Sequence, residues 1–87
     1  MNRLIHVLSD GTLSEDVYFL AGPFALSNAT RTHADLLKFL KVSKGVQGRV
    51  ALFTDQACAT PLTADNYAAL RESLVGRDLF FTADAET

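Results

Sequence analysis

Residues 32–45 read THADLLKFLKVSKG, and the fold turns on how this stretch is wound. Thr32 and Asp35 have the spacing of a capping box, with Asp in place of the usual Glu. Leu36, Leu37, Phe39 and Leu40 fall on one side of a helical wheel, with Lys38 and Lys41 opposite. Lys41 and Lys44 then stand where the helix dipole favours cations, and Gly45 lies just past the end. The same letters also read as a hairpin, in which SKGVQG joins KFLKV to RVALFT. Extended, the stretch puts Leu36, Lys38, Leu40 and Val42 on one face and Leu37, Phe39 and Lys41 on the other, so neither face is cleanly apolar. Periodicity predicts a helix over 33–43, with the hairpin strand as the alternative. The choice has a functional consequence. A helix lines up Lys38, Lys41 and Lys44 on one exposed strip, whereas a strand splits Lys38 from Lys41.

Outward from this segment the pattern is simpler. Arg3 to Leu8 (RLIHVL) is short and nearly all apolar, which suits a strand, and Asp10-Gly11 follows as a turn signal. Val17 to Ala21 (VYFLA) is a second strand, punctuated by Gly22-Pro23, with Phe24-Ala25-Leu26 continuing it past a bend. A competing reading starts a helix at Ser14-Glu15-Asp16. Residues 49–54 form the firmest strand, and 55–61 a loop. Thr63 is placed as the N-cap of a helix over 64–75, closed by Gly76, whose apolar stripe is Tyr67, Leu70, Leu74 and Val75, with Leu70 and Leu74 facing a sheet that carries Leu52 and Phe80. Leu79 to Thr82 is a last strand, and the final ADAET is expected to fray. These elements predict one α+β domain over 1–87, a small mainly antiparallel sheet covered on one face by one or two helices. The alternative is a mostly β sandwich or barrel with one helix.

Composition narrows the function. The chain has 87 residues, 48% hydrophobic and 21% charged, which suits a globular domain with a small core. It contains no apolar run of membrane-spanning length, and the apolar part of MNRLIHVLSDG is too short for a signal peptide. A single cysteine allows no internal disulfide, and no Cys/His set has metal-ligand spacing. Asn28-Ala29-Thr30 matches a glycosylation acceptor and is read as chance. Charge is segregated along the chain. Residues 31–49 carry Arg31, Lys38, Lys41, Lys44 and Arg49 against Asp35 alone, a net +4, while residues 50–87 carry a net −4. The five cations are the candidate docking surface.

Residues that could carry chemistry do not form a catalytic pattern. His6 sits within a strand, His33 near a helix start, and Cys58 in the loop QACAT with no histidine near it in sequence. A nucleophilic cysteine needs a base within reach and a cue that lowers its pKa. Glu15-Asp16, Asp55 and Asp65 are explained by turn and cap duty, Asp55 by hydrogen-bonding its own loop. Gly45-x-x-Gly48 lacks the Lys-Ser/Thr of a phosphate loop and is followed by a strand. No catalytic, metal or cofactor-binding residue is therefore assigned, no cofactor is expected, and the expectation is a protein that binds or builds rather than an enzyme.

The stretch RVALFTDQACATPLTADN, residues 49–66, resembles a phrase of tail-fibre and decoration-type virion proteins of tailed bacteriophages. The matching residues are Val50, Leu52, Phe53, Asp55, Ala57, Thr60, Pro61, Leu62 and Asn66. The phrase covers about a fifth of the chain and departs from the usual form at Ala64-Asp65. The resemblance implies a structural role in a virus particle, with a strand often preceding the phrase. The leading expectation is a small virion component that assembles with other protein subunits, itself included, in a ring or lattice. The alternative is a regulatory module that uses the 31–49 segment to bind nucleic acid or to inhibit a host protein. Location follows the role: the virion under the first reading, the cytoplasm under the second, with no membrane association in either.

Overall fold

A computed structural model describes residues 2–20 and 31–84, apart from the side chains of Asp16 and Leu20. The expectations at Ala21, Gly22-Pro23, Phe24-Ala25-Leu26, Asn28-Ala29-Thr30 and residues 85–87 lie outside the described residues. Among those described, five strands form one sheet: β1 (Asn2–Val7), β2 (Leu13–Leu20), β3 (Arg49–Phe53), β4 (Pro61–Leu62) and β5 (Asp78–Asp84). The strand order is β2-β1-β5-β3-β4. The β1–β2, β5–β3 and β3–β4 pairings are antiparallel and β1–β5 is parallel. The fold is α+β, as the sequence predicts.

The deciding segment is helical. Helix α1 spans His33–Lys38 and continues in a π-wound turn over Phe39–Ser43. The Thr32 side chain accepts the Asp35 N–H at 3.1 Å, which is the cap read from the sequence. Leu36 and Leu40 are both fully buried. They stand four apart, so a helix turns both to the core, and burying each stabilises by about 1.5–3 kcal/mol. The end is closed by Gly45 at φ +69°, a left-handed conformation that a side chain would strain. The Val46 N–H reaches back to the Leu40 carbonyl at 3.0 Å, and Val46 packs against the core.

The hairpin β1–β2 turns at Asp10-Gly11. Leu8 N–H donates to Thr12 O at 2.8 Å, and the Asp10 carboxylate takes both the Thr12 N–H and its hydroxyl. β2 begins at Leu13, four residues before the expected start, so Glu15 and Asp16 lie in a strand and the competing helix does not form. Pairing with β1 along its length outweighs the local cap signal at Ser14.

Several further expectations need correction. Pro61–Leu62 is a strand, not loop, because Leu62 pairs with Leu52 and is buried. The single helix over 64–75 is instead two short pieces, α2 at Tyr67–Leu70 and a 3₁₀ turn at Arg71–Leu74. Thr63 does not cap it with its side chain. The Asn66 side chain takes the Thr63 N–H at 2.8 Å and donates to Pro61 O at 3.0 Å, which holds residues 61–66 in a turn and delays the helix. Of the expected apolar stripe, Tyr67 and Leu74 are buried in the core, whereas Leu70 is only half-buried and Val75 is exposed. Finally, β5 runs to Asp84, so Ala83 and Asp84 are paired rather than frayed, and Leu79 and Phe81, not Phe80, face the helices.

Strand alternation therefore sorts the sheet into two faces. Leu4, Leu52, Leu62, Leu79 and Phe81 join Leu36, Leu40, Tyr67 and Leu74 in the core. Phe81 lies between the His6 ring, stacked at 4.8 Å, and the Tyr18 ring at 6.0 Å. The other face points away from α1 and α2.

Candidate functional site

The five candidate cations are all exposed, yet the fold does not gather them. Lys38 and Lys41 stand three apart on the outer side of α1 and are neighbours. Lys44 turns aside, and its Nζ lies 5.6 Å from the Phe39 ring centroid and 6.0 Å from that of Tyr18, a cation held over aromatic faces. Arg31 precedes α1 and borders a shallow depression of about 230 Å³ with His33 and Tyr67. Arg49 is opposite Asp84 in the β3–β5 ladder, so alternation places it on the face away from the helices. The charge blocks seen along the chain are partly interleaved by the sheet.

Cys58 is half-buried in a loop that Asp55 closes, its two carboxylate oxygens accepting the Ala59 and Thr60 N–H groups at 3.1 and 3.0 Å. This is the self-bonded loop read from the sequence, with a longer reach. Burial, and then the nearby Asp55 charge, push the Cys58 thiol up from its ordinary value. A thiol so placed stays protonated near neutral pH and is a poor nucleophile. His6 lines an open cleft of about 410 Å³ with Ser9, Asp10, Thr82 and Asp84, but its ring lies flat on Phe81 and Asp10 is engaged with Thr12. His33 meets Tyr67 edge-on at 6.3 Å. Among the described residues no three His, Cys, Asp or Glu side chains form a set that could hold a metal ion. None of the described helices is long and apolar enough to cross a membrane.

Among the described residues, Tyr67 is the acid shifted furthest from its ordinary value. Burial pushes its hydroxyl up to about 12, with Arg71 acting in the opposite direction. Its folded value is raised above the unfolded one, so its contribution is complete below about pH 10 and is lost as pH rises toward 12. Stability is expected to fall across that window. In Tyr67→Phe the alkaline loss should shrink, as read by urea melts at pH 9 and 11.5. An unchanged pH profile in the variant would place the alkaline transition elsewhere.

The feature that sequence reasoning missed is on the face away from the helices. Successive registers pair Val17 with Ile5, Ile5 with Phe80, Phe80 with Phe53, and Phe53 with Pro61. These five residues make one apolar row across all five strands, and none of them belongs to the core under the helices. Ile5 is buried, Val17, Phe53 and Phe80 are half-buried, and Pro61 is exposed. Beside the row, Phe19 is 56% exposed. It pairs with Arg3, whose guanidinium grips Asp78 with two hydrogen bonds of 2.8 and 2.5 Å.

Compared with protein-family models, with curated proteins and with solved structures, the chain matches none.

Proposed function

We propose that this is a non-enzymatic structural or docking protein that acts through protein–protein contacts. The observation that carries the reading is the five-strand apolar row with Phe19 exposed beside it. Aromatic side chains left half-covered on a sheet face are where a second protein surface adds burial that a core this small lacks. The more particular role, a small bacteriophage virion component, is supported by the phrase at residues 49–66, which folds as strand, Asp55-closed loop and short strand. The helical 33–43 segment lends the phage resemblance no support, since a strand often precedes the phrase in those proteins. The test is compositional. Density-banded particles from the phage that encodes the chain are expected to contain it at a fixed ratio to the major shell protein. Its absence from them would remove the virion role.

A second reading has its own observation. Lys38 and Lys41 are exposed side by side on a helix, the arrangement that a regulatory binder of nucleic acid needs from this segment. Under it, affinity for single- or double-stranded oligonucleotides falls with salt at a log–log slope of about −0.7 to −0.9 per phosphate contact. Lys38→Glu with Lys41→Glu should abolish that binding while leaving the melting temperature near that of the parent, because both side chains are exposed. Salt-independent binding, or none at low salt, would discard this reading.

A further inference from the structure

We infer that an extended segment of a partner protein adds to the open end of β3 as a short strand. The inference rests on the docking reading and gives it a partner, but it does not use the apolar row. The hydrogen-bond parity of β3 locates the opening. The Thr54 N–H donates to the Thr60 carbonyl at 3.0 Å, so these two residues stand opposite each other as a bonded pair. Phe53 with Pro61 is then an unbonded pair, which suits a proline that has no N–H. The alternation makes Leu52 with Leu62 a bonded pair again. Val50 follows in the same parity, so its N–H and C=O point to the β4 side. There β4 has ended. The Asn66 side chain, bonded to the Thr63 N–H and to Pro61 O, has turned the chain out after Leu62. Among the described residues no strand faces Val50 on that side, so two backbone groups are left for a visiting chain. A helix cannot use them, because its own backbone groups are bonded internally. An extended segment can.

A groove lies beside this opening. Two shallow depressions of about 230 Å³ each share His33. The first is lined by Val50, Leu62 and Thr63, and the second by Ala34, Tyr67 and Ala68, with the exposed Arg31 beside them. Residues opposite each other in a ladder share a face, and Val50 packs against the core. The partner residue opposite Val50 therefore turns its side chain toward the helices, into the first depression. Its second neighbour along the chain points the same way about 7 Å further on, which directs it past His33 toward the second. Both depressions are small, so valine-sized side chains suit them. Arg31 belongs to a segment, residues 31–49, with a net charge of +4, and it calls for an acidic residue at that end of the visitor.

Titration of the intact, isotope-labelled chain with synthetic peptides, read by NMR, tests this. The probes are acetyl-Glu-Val-Thr-Val-Thr-amide and its reverse, acetyl-Thr-Val-Thr-Val-Glu-amide, because the opening admits a strand in either direction. At millimolar concentration one of them is expected to move the Val50 amide resonance downfield and to slow its hydrogen exchange. The same peptide should shift His33 and Ala34 and leave Phe19, in β2 at the other side of the sheet, unmoved. N-methylation of the valines, whose amides point at β3, should remove binding, whereas N-methylation of the threonines, whose amides point away, should not. Ala68→Leu, at an exposed position, should lower the affinity by filling the second depression without unfolding the chain. Arg31→Glu should weaken binding by about three- to tenfold, and a peptide with Lys in place of Glu should recover it. No change at Val50 with either peptide, or binding indifferent to valine N-methylation, would overturn the inference. So would the same resonances moving when the chain alone is concentrated, which would make the occupant a second copy. The particle assay does not depend on this groove, so the docking reading stands or falls separately.

Discussion

Phe81→Ala should cost about 3–5 kcal/mol. Phe81 is fully buried in β5, flanked by the rings of His6 and Tyr18, at the centre of the cluster that joins sheet to helices. Removing its ring leaves a void that a sheet with fixed registers cannot close. A chain of this length has a total stability of roughly 4–13 kcal/mol, so the variant should be largely destabilised at room temperature. Urea melts at low micromolar concentration provide the measurement. Phe80→Ala in the same experiment should cost clearly less, because Phe80 is half-buried on the other face. Equal losses, or a larger loss at Phe80, would reverse the assignment of faces.

The second large effect is expected at Asn2. Its side chain is 2% exposed and fully used: Nδ2 donates to Leu74 O at 2.6 Å and to Arg77 O at 2.9 Å, and Oδ1 accepts the Gly76 N–H at 2.9 Å. These bonds tie the start of β1 to the turn that ends the 3₁₀ segment, where Gly76 sits at φ +78°. Asn2→Ala removes all three bonds, of which only the one to Leu74 O is fully buried, and that carbonyl keeps the Arg77 N–H at 3.1 Å, so the loss is about 1 kcal/mol for each bond. A total of about 3 kcal/mol is expected, a fall in melting temperature of about 12 °C or more. Asn2→Asp should be no better, because a carboxylate cannot donate to either carbonyl. The Gly76 amide should exchange faster in both variants. A melting curve that coincides with wild type would mean that water replaces the side chain at no cost.

Some of this architecture was legible in the sequence because its causes are local. Asp10-Gly11 announces the hairpin, and Thr32, Gly45 and the Leu36/Leu40 spacing announce α1. The hairpin alternative for 33–43 could not be dismissed locally, since apolar residues occupy both strand faces; burial of Leu36 and Leu40 together in the tertiary core decides it. The stretch LFFT shows the opposite difficulty. With apolar residues on both faces, alternation carries no information, and only the register with β1 and β3 assigns Phe81 inward and Phe80 outward. Asn2 was invisible because its partners lie 72 to 75 residues away. The apolar row was invisible for the same reason: Ile5, Val17, Phe53, Pro61 and Phe80 share nothing in sequence and meet only through four strand pairings. Of the candidate cations, the helix pattern put Lys38, Lys41 and Lys44 on one strip, from which Lys44 turns aside onto the Phe39 and Tyr18 rings, and Arg49 is separated from them by a strand parity that the helix pattern does not contain.

The position of β5 carries a kinetic consequence. It is the last described strand in the chain and the middle one in the sheet, lying between β1 and β3. Until it arrives, the β1–β2 hairpin and the β3–β4 pair have no strand to join them, and each presents an open edge. Most of the sheet's closure therefore depends on contacts far apart in sequence, which places folding toward the slow side for a chain of this size. During synthesis the two halves must wait, sticky-edged, for a strand that leaves the ribosome after both. Crowded expression should consequently divert the protein into aggregates more readily than its final stability would suggest, and slower synthesis at lower temperature should recover it.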